Sequence, residues 1–389
     1  CTPLFAPGQT LNIELAAECL DPDLCIGGES LTINGDAITL ANDNDAAGIN
    51  GTFTEIELDF ITQPSGDIGA TIELNYSDVG LMQLHARYDI PFGFFGTPSP
   101  DDTLTAPGYS GDFMIGSSNN FVVRPFGFAI DFPGAVGLDR RDGFPVGNFP
   151  PVNSQTVTSF AADSDGSPWR IAGAGFDTRV TSMGWQSADD TDFDGQPDTN
   201  ANLHDNRETP NFYKDSDGLA DDYRIQLTVL SNQAQSECIS GASPECGVLG
   251  VLNNDTLFEA DFDSPGSGLV NMQYNEVGII DLQAQLIDIN EDPAPYLGTD
   301  VIIGRVRNVG RFYPERFVPS AVSLLPRVSA SCSPPSSFTY MDEPFGIAAT
   351  LTARNLQGNT TVNYRGGFAK LDLYNELNLR AIEIVDPGD

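Results

Sequence analysis

YSDVGLMQLHARY at residues 76–88 returns as YNEVGIIDLQAQL at 274–286, an offset of 198 residues. After the glycine of each copy, apolar and polar side chains alternate, and a period of two places successive side chains on opposite faces of a strand. LNIELAA, EIELDF, RIQLTVL and KLDLY alternate in the same way. Turn signals at Asn34-Gly35 and Asn50-Gly51, with 39 glycines and 27 prolines, punctuate these runs. No amphipathic pattern extends beyond about two or three helical turns. The alternation predicts an all-β chain, with tandem immunoglobulin-like antiparallel β-sandwich modules in a row.

The repeat also predicts the modules. A close cysteine pair precedes each copy, Cys19 and Cys238 being 219 residues apart, which marks a module A used twice. A second module, B, matches AGAGFDTRVTSMGW at 172–185 with DEPFGIAATLTARN at 342–355, and TPNF at 209–212 with TVNY at 361–364. The order A, B, A, B gives four expected sandwiches: A1 over 1–120, B1 over 121–222, A2 over 223–318 and an incomplete B2 over 319–389. No third A follows in full, so a longer natural protein is expected. Cys1 fits either a cut fragment, which agrees with the incomplete B2, or the lipidated first residue of a bacterial lipoprotein.

Lys and Arg total 18 against 55 Asp and Glu, a formal net charge of −37. Such a field repels nucleic acid and anionic lipid, so neither is an expected partner. With 40% hydrophobic and 10% aromatic residues the chain is too apolar for a disordered acidic tail. No run approaches the roughly 20 apolar residues of a membrane helix, so no membrane span is expected. Cys19/Cys25 and Cys238/Cys246 lack zinc-site spacing and neighbouring histidines, and they read as two small disulfide loops closed in an oxidising compartment. Export from the cell follows. Cys1 and Cys332 are left without an assigned pairing.

Catalytic patterns are sparse. A Ser-His-Asp triad would have to use His85 or His204, and there is no GxSxG, P-loop, HExxH or CxxC. His85 lies in an alternating strand and reads as a structural, partly exposed side chain. With 55 acidic residues, carboxylate pairs of the glycosidase kind carry no signal. Trp169 and Trp185 flank an acidic stretch; a core role is expected over a sugar platform. The chain reads as a non-enzyme.

That stretch is DDTDFDGQPD, 189–198, within about 17 residues that B1 has and B2 lacks. Calcium takes six to eight oxygens at about 2.3–2.6 Å, and alternating aspartates on a tight turn supply them. Asp190, Asp192 and Asp194 match the first, third and fifth positions of an EF-hand loop. Gly195 matches the sixth, Gln196 the seventh, whose backbone carbonyl ligates, and Asp198 the ninth. The twelfth position is Ala201 rather than Glu, and flanking helices are not evident. A second insertion, DSDGLADD, repeats the spacing with Asp215, Asp217 and Asp221, resembling thrombospondin type-3 calcium loops. The competing reading is a solvated acidic loop, disfavoured by the repeated spacing and by the cost of crowding like charges without a cation. A third run, Asp163-Ser-Asp165-Gly166, lacks the later Asp and reads as a solvated turn. His204 falls in the first insertion, near the expected ligands. Calcium is the expected cofactor, fixing the angle between the B1 and A2 sandwiches.

FVVRPFGF at 121–128, YNEVGIIDLQAQL at 274–286, GRFYPERF at 310–317, FTYMDEPF at 338–345 and LTARNLQGNTTVNYRGGFAKL at 351–371 resemble the MshQ family. These are large exported proteins encoded with the mannose-sensitive haemagglutinin type IV pilus. The likeness covers most of 270–371 and scattered parts before it; the acidic insertions depart from it. It implies an extracellular, pilus-associated or adhesin-like protein, and it carries over no catalytic residue. Residues and resemblance together predict a calcium-stiffened structural or adhesion protein of a cell-surface appendage. Its expected partners are appendage components, copies of itself, or a surface glycan. The rival readings are a self-assembling filament subunit, whose strand completes a neighbour's sandwich, and a carbohydrate-binding module array.

Overall fold

Gly80 and Gly278 open the two copies of the repeated stretch with φ of +147° and +149°, a conformation that L side chains rarely adopt. A Cβ at Gly80 would lie 2.5 Å from the Asp21 carbonyl oxygen, and one at Gly278 1.9 Å from Oδ1 of Asn232. Glycine is thus required where each strand starts against its neighbour. The computed structural model describes residues 5–22, 30–38, 40–41, 53–89, 109–110, 113–133, 163–166, 168–212, 223–241, 243, 245–264, 266–325, 327–328, 337–372 and 375.

Chain order begins with β1 (Gln9–Asp21), β2 (Leu31–Ile33), β3 (Asp36–Ile38), β4 (Leu40–Ala41), β5 (Thr54–Thr62), β6 (Ile68–Gly69), β7 (Leu74–Tyr76), β8 (Gly80–Asp89), β9 (Tyr109–Ser110), β10 (Phe113–Ser117) and β11 (Phe121–Val123). These build the first sandwich. One sheet runs β6-β5-β1-β8-β10-β9, with β4 on β1 and β11 on β8, and it faces the smaller sheet β3-β2-β7. Leu15, Ala17, Leu31, Ile33, Ile56 and Met82 fill the space between them.

The chain continues with β12 (Gly127–Asp131), β13 (Arg170–Ile171), β14 (Gly175–Met183), β15 (Arg224–Asn232), β16 (Leu252–Asn253), β17 (Thr256–Leu257), β18 (Phe262–Ser264), β19 (Ser267–Tyr274), β20 (Gly278–Ile287) and β21 (Ile303–Tyr313). The sheet β12-β14-β19-β16, with β18 on β19, packs on the sheet β13-β21-β20-β15-β17. Along β20 the buried Leu282, Ala284 and Leu286 alternate with half-buried polar residues, as the sequence alternation predicts. They pack with Phe128, Ile130, Phe176 and Val180 of β12 and β14 in one core. Burying each of the larger of these side chains, the leucines, Ile130, Val180 and the phenylalanines, contributes about 1.5–3 kcal/mol. Beyond β21 come β22 (Arg316–Leu325), β23 (Arg327–Val328), β24 (Ser337–Phe338) and β25 (Gly346–Arg354); β22 pairs with β25 and β23 with β24. Among the described residues the only helical elements are three-residue 3-10 turns. The chain is all-β and its sheets are predominantly antiparallel.

Two sequence readings need correction. The expected boundary near 222 does not separate two sandwiches. β14, from B1, pairs with β19, from A2, over Gly175–Thr181 and Ser267–Gln273, and both modules share one core. B1 is a strand ribbon that needs the A2 sheet to cover its apolar face, so the repeated unit of sequence is not the folding unit. The second correction concerns register. The Phe126 amide donates to the Met183 carbonyl, and the Glu315 amide donates to that of Arg354. Met183 therefore corresponds to Arg354, an offset of 171 where the sequence match has 170, and one residue of slip exchanges the two faces of a strand. The match of TPNF with TVNY stands: Thr209 donates to the Ser182 carbonyl as Thr361 does to that of Ala353.

Candidate functional site: an acidic loop and two junction clasps

The 184–208 segment leaves and rejoins the end of β14. The Gly184 amide donates to the Arg207 carbonyl, and Thr209 donates to that of Ser182, so the insertion is pinched into a closed loop. Leu203 and Ala201 lay it on Phe126, Ala129 and Met183, the outer face of β12 and β14. At its tip the backbone bends around the carboxylates: the Asp194 amide donates to Oδ1 of Asp192 (3.3 Å) and the Gln196 amide to Oδ1 of Asp194 (2.8 Å). Phe193 and Gly195 take positive φ, 57° and 78°.

One carboxylate oxygen from each of Asp190, Asp192 and Asp194 lies within 4.8 Å of the other two, a group able to hold a cation. Asp190 is 4% exposed. Its Oδ2 accepts from Nε1 of Trp185 at 3.0 Å, while Oδ1 is buried without a partner, as is Oδ2 of the neighbouring Asp189. A buried carboxylate oxygen with no donor is costly unless a cation meets it. Asp198 is turned elsewhere, its Oδ2 accepting from the amide and hydroxyl of Thr191. The Gln196 side chain reaches Oδ2 of Asp300 (3.1 Å) and the Val301 carbonyl (3.3 Å), tying the loop to the A2 part of the sandwich. Asp215, Asp217 and Asp221 lie outside the described residues.

The expected placement between a B1 and an A2 sandwich is corrected by their shared core. The loop instead touches a different junction. Nη2 of Arg124, in the connector from β11 of the first sandwich to β12 of the second, donates to the Gly195 carbonyl at 2.5 Å.

The other singled-out residues sort simply. Trp169 is core, edge-on to Phe132 and Phe312 with ring centroids 5.5 and 5.2 Å apart, whereas Trp185 is 56% exposed, against the core expectation. His85 is buried, not partly exposed, between Oε2 of Glu18 (2.5 Å) and Oγ of Ser117 (2.7 Å), a structural role. His204 faces Oδ1 of Asp131 at 3.4 Å, lining a cavity of about 370 Å³ beside β21. Asp165, in the turn read as solvated, pairs with Nζ of Lys370 at 2.6 Å. Cys238 and Cys246 form the predicted disulfide, with Cα atoms 5.6 Å apart. Cys19 is disulfide-bonded, and Cys25, Cys1 and Cys332 lie outside the described residues.

Two further sites were not read from the sequence. In the repeated Y-x-[D/E]-V-G, the acid is buried and accepts backbone amides from the repeated T-x-N-[F/Y]. Asp78 accepts from the Asn211 amide at 3.0 and 3.1 Å, and the Asn211 side chain donates to the Tyr76 hydroxyl at 2.8 Å. Glu276 accepts from Val277 (2.8 Å), Val362 (3.0 Å) and Asn363 (3.3 Å). Oδ1 of Asn363 takes the amides of Gly247 and Val248, immediately after the Cys238–Cys246 loop, and its Nδ2 donates to the Val248 carbonyl at 2.7 Å. Beneath each clasp an apolar pair is buried: Val79 with Phe212 at the first junction, Val277 with Phe368 at the second. The signal was present in the sequence, an acid and an asparagine recurring at matched places in apolar runs.

Burial raises the Glu276 carboxyl above its usual range, and the three backbone donors pull it partly back. A folded-state value above the unfolded one means a proton is taken up on folding in that window. Stability from this group is then fully present below its unfolded pKa and is lost as pH rises through the folded one. Urea unfolding of the wild type and of Glu276→Gln between pH 4 and 8 should differ in slope, the variant lacking this decline. Parallel profiles would refute it.

An Ig-like, multi-sandwich β protein with buried junctions defines the class. Residues 1–104 match the first Ig-like domain of DUF6701, a domain family of unknown function, residues 124–268 its second domain and residues 276–388 its third. The chain belongs to the DUF6701 family, whose three domains cover it in order. The family division, between 268 and 276, spans nearly all of β19, within the shared core, and the third domain opens on Glu276. No curated protein and no solved structure matches the chain significantly.

Proposed function

We propose that this chain is an extracellular structural segment of a cell-surface appendage, pilus-associated or adhesin-like, that holds successive sandwiches at fixed angles and does no catalysis. The observation that carries this reading is the pair of matched clasps. Burying an acid at a junction is expensive unless donors are preset to meet it, so each clasp favours one arrangement of the two parts it joins, two sandwiches at the first and a sandwich and the β22/β25 ribbon at the second. A disulfide and the net charge of −37 suit an exported surface protein.

Calcium is the proposed cofactor, held by Asp190, Asp192 and Asp194 with the Gln196 carbonyl. The unpartnered Oδ1 of buried Asp190 supports it. Through Arg124 on Gly195, a loop set by the ion braces the connector between the first two sandwiches. Pilus or other appendage components are the proposed partners; a surface glycan is a second candidate through the exposed rings of Trp185 and Phe193 on the same loop. Surface labelling of intact cells that make the protein, together with attachment assays on a deletion strain, tests the reading. Labelled cells that lose attachment on deletion are the predicted result, and a protein found only inside the cell would overturn it.

A further inference from the structure

We propose that two copies of this chain join head to tail by completing a β-sandwich, β25 of one copy pairing along β7 of the next. This goes beyond the structural reading above, which a single copy could fulfil. The template lies inside the chain. In the second sandwich the ribbon β12/β14 covers the sheet β15/β20/β21, and β14 pairs with β19. Both halves of that arrangement occur a second time, each without its other half among the described residues.

The ribbon half is β22/β25, a two-stranded sheet. By the offset of 171, Ile347 and Leu351 stand where Phe176 and Val180 stand in β14. Phe176 is 1% exposed and Ile347 48%, with Leu324 and Leu325 of β22 more exposed still. The sheet half is the first sandwich. Its β7 ends the sheet β3-β2-β7, as β19 would if β14 were lifted away. Leu84, Ala86 and Tyr88 of β8 correspond to Leu282, Ala284 and Leu286, which are wholly buried beneath the ribbon. In the first sandwich the three are only half-buried and line an apolar cavity of about 410 Å³. Among the described residues, the same chain thus carries an apolar ribbon without a sheet and an apolar sheet without a ribbon, with a worked pairing between their homologues.

The template also sets the register. Phe176 opposite Met272 and Asp177 opposite Asn271 place Ile347 opposite Leu74, and Ala348 opposite Glu73. Ribbon and sheet are different surfaces, so the contact is heterologous and propagates rather than closing on a dimer.

The test uses the whole chain. In sedimentation velocity over a concentration series, the weight-average mass should climb past that of two chains, and Ile347→Asp should weaken the association about tenfold or more by placing an unpaired charge in the seam. To separate assembly from folding, a second arm mixes Glu73→Cys chains with Ala348→Cys chains under mild oxidation. A disulfide-linked heterodimer is expected from this pair and not from Ala348→Cys with Glu57→Cys, whose strand lies on the opposite sheet. A chain that stays monomeric throughout would overturn the proposal, as would assembly that ignores Ile347→Asp and gives no Glu73/Ala348 cross-link.

Discussion

Restoring calcium to chain stripped with EDTA should raise the melting temperature of the second sandwich by about 5–10 °C. The figure follows from mass action: ligand at about 100 times its dissociation constant adds about 2.7 kcal/mol to a native state that alone binds it. In a domain of this size each kcal/mol shifts the midpoint by about 2–4 °C. The ion would meet Asp190, Asp192 and Asp194, whose oxygens already converge, and would satisfy a buried carboxylate oxygen that has no donor. Asp190→Asn combined with Asp192→Asn should abolish the calcium response and, by removing like charge, raise the midpoint in EDTA. Asp198→Asn should weaken the response far less, since Thr191 occupies that carboxylate. A wild-type midpoint equal in EDTA and calcium would leave the loop as solvated acid.

Glu276→Ala should cost the second junction about 2–4 kcal/mol, because it strands the buried amides of Val277 and Asn363 and the half-buried amide of Val362 without an acceptor. Asn363→Ala should cost a similar amount, since Gly247 and Val248 lose their acceptor too. Limited proteolysis reads this directly: cleavage after 314 should accelerate in both variants while the first two sandwiches remain resistant. Equal cleavage rates would show that the clasp does not hold the junction.

What was legible in the sequence was whatever depends on near neighbours. Alternation in LQAQL specifies a strand with one buried face, and β20 buries Leu282, Ala284 and Leu286 accordingly. Cys238 and Cys246 are eight residues apart and close a local loop. Asp190, Asp192 and Asp194 share one turn, so their convergence could be read from spacing, whereas Asp198 was diverted by a threonine hydroxyl that spacing does not reveal. Hidden from a linear reading was everything that rests on distant pairing. β14 finds β19 with partners 86 to 98 residues apart, so B1 and A2, separate in the repeat, merge into one core. Asp78 and Asn211 mark the repeats 133 residues apart, and only the fold shows that one receives the other.

The central claim is that the clasps make the chain a stiff series of sandwiches. Small-angle scattering on the wild type and on Asn211→Ala with Asn363→Ala, both in calcium, addresses it most directly. The account predicts a wild-type profile fitted by one arrangement with a sharp maximum dimension, and a variant profile that needs an ensemble with a broader, longer distance distribution. Two superimposable profiles, or a wild type that itself needs an ensemble, would contradict it.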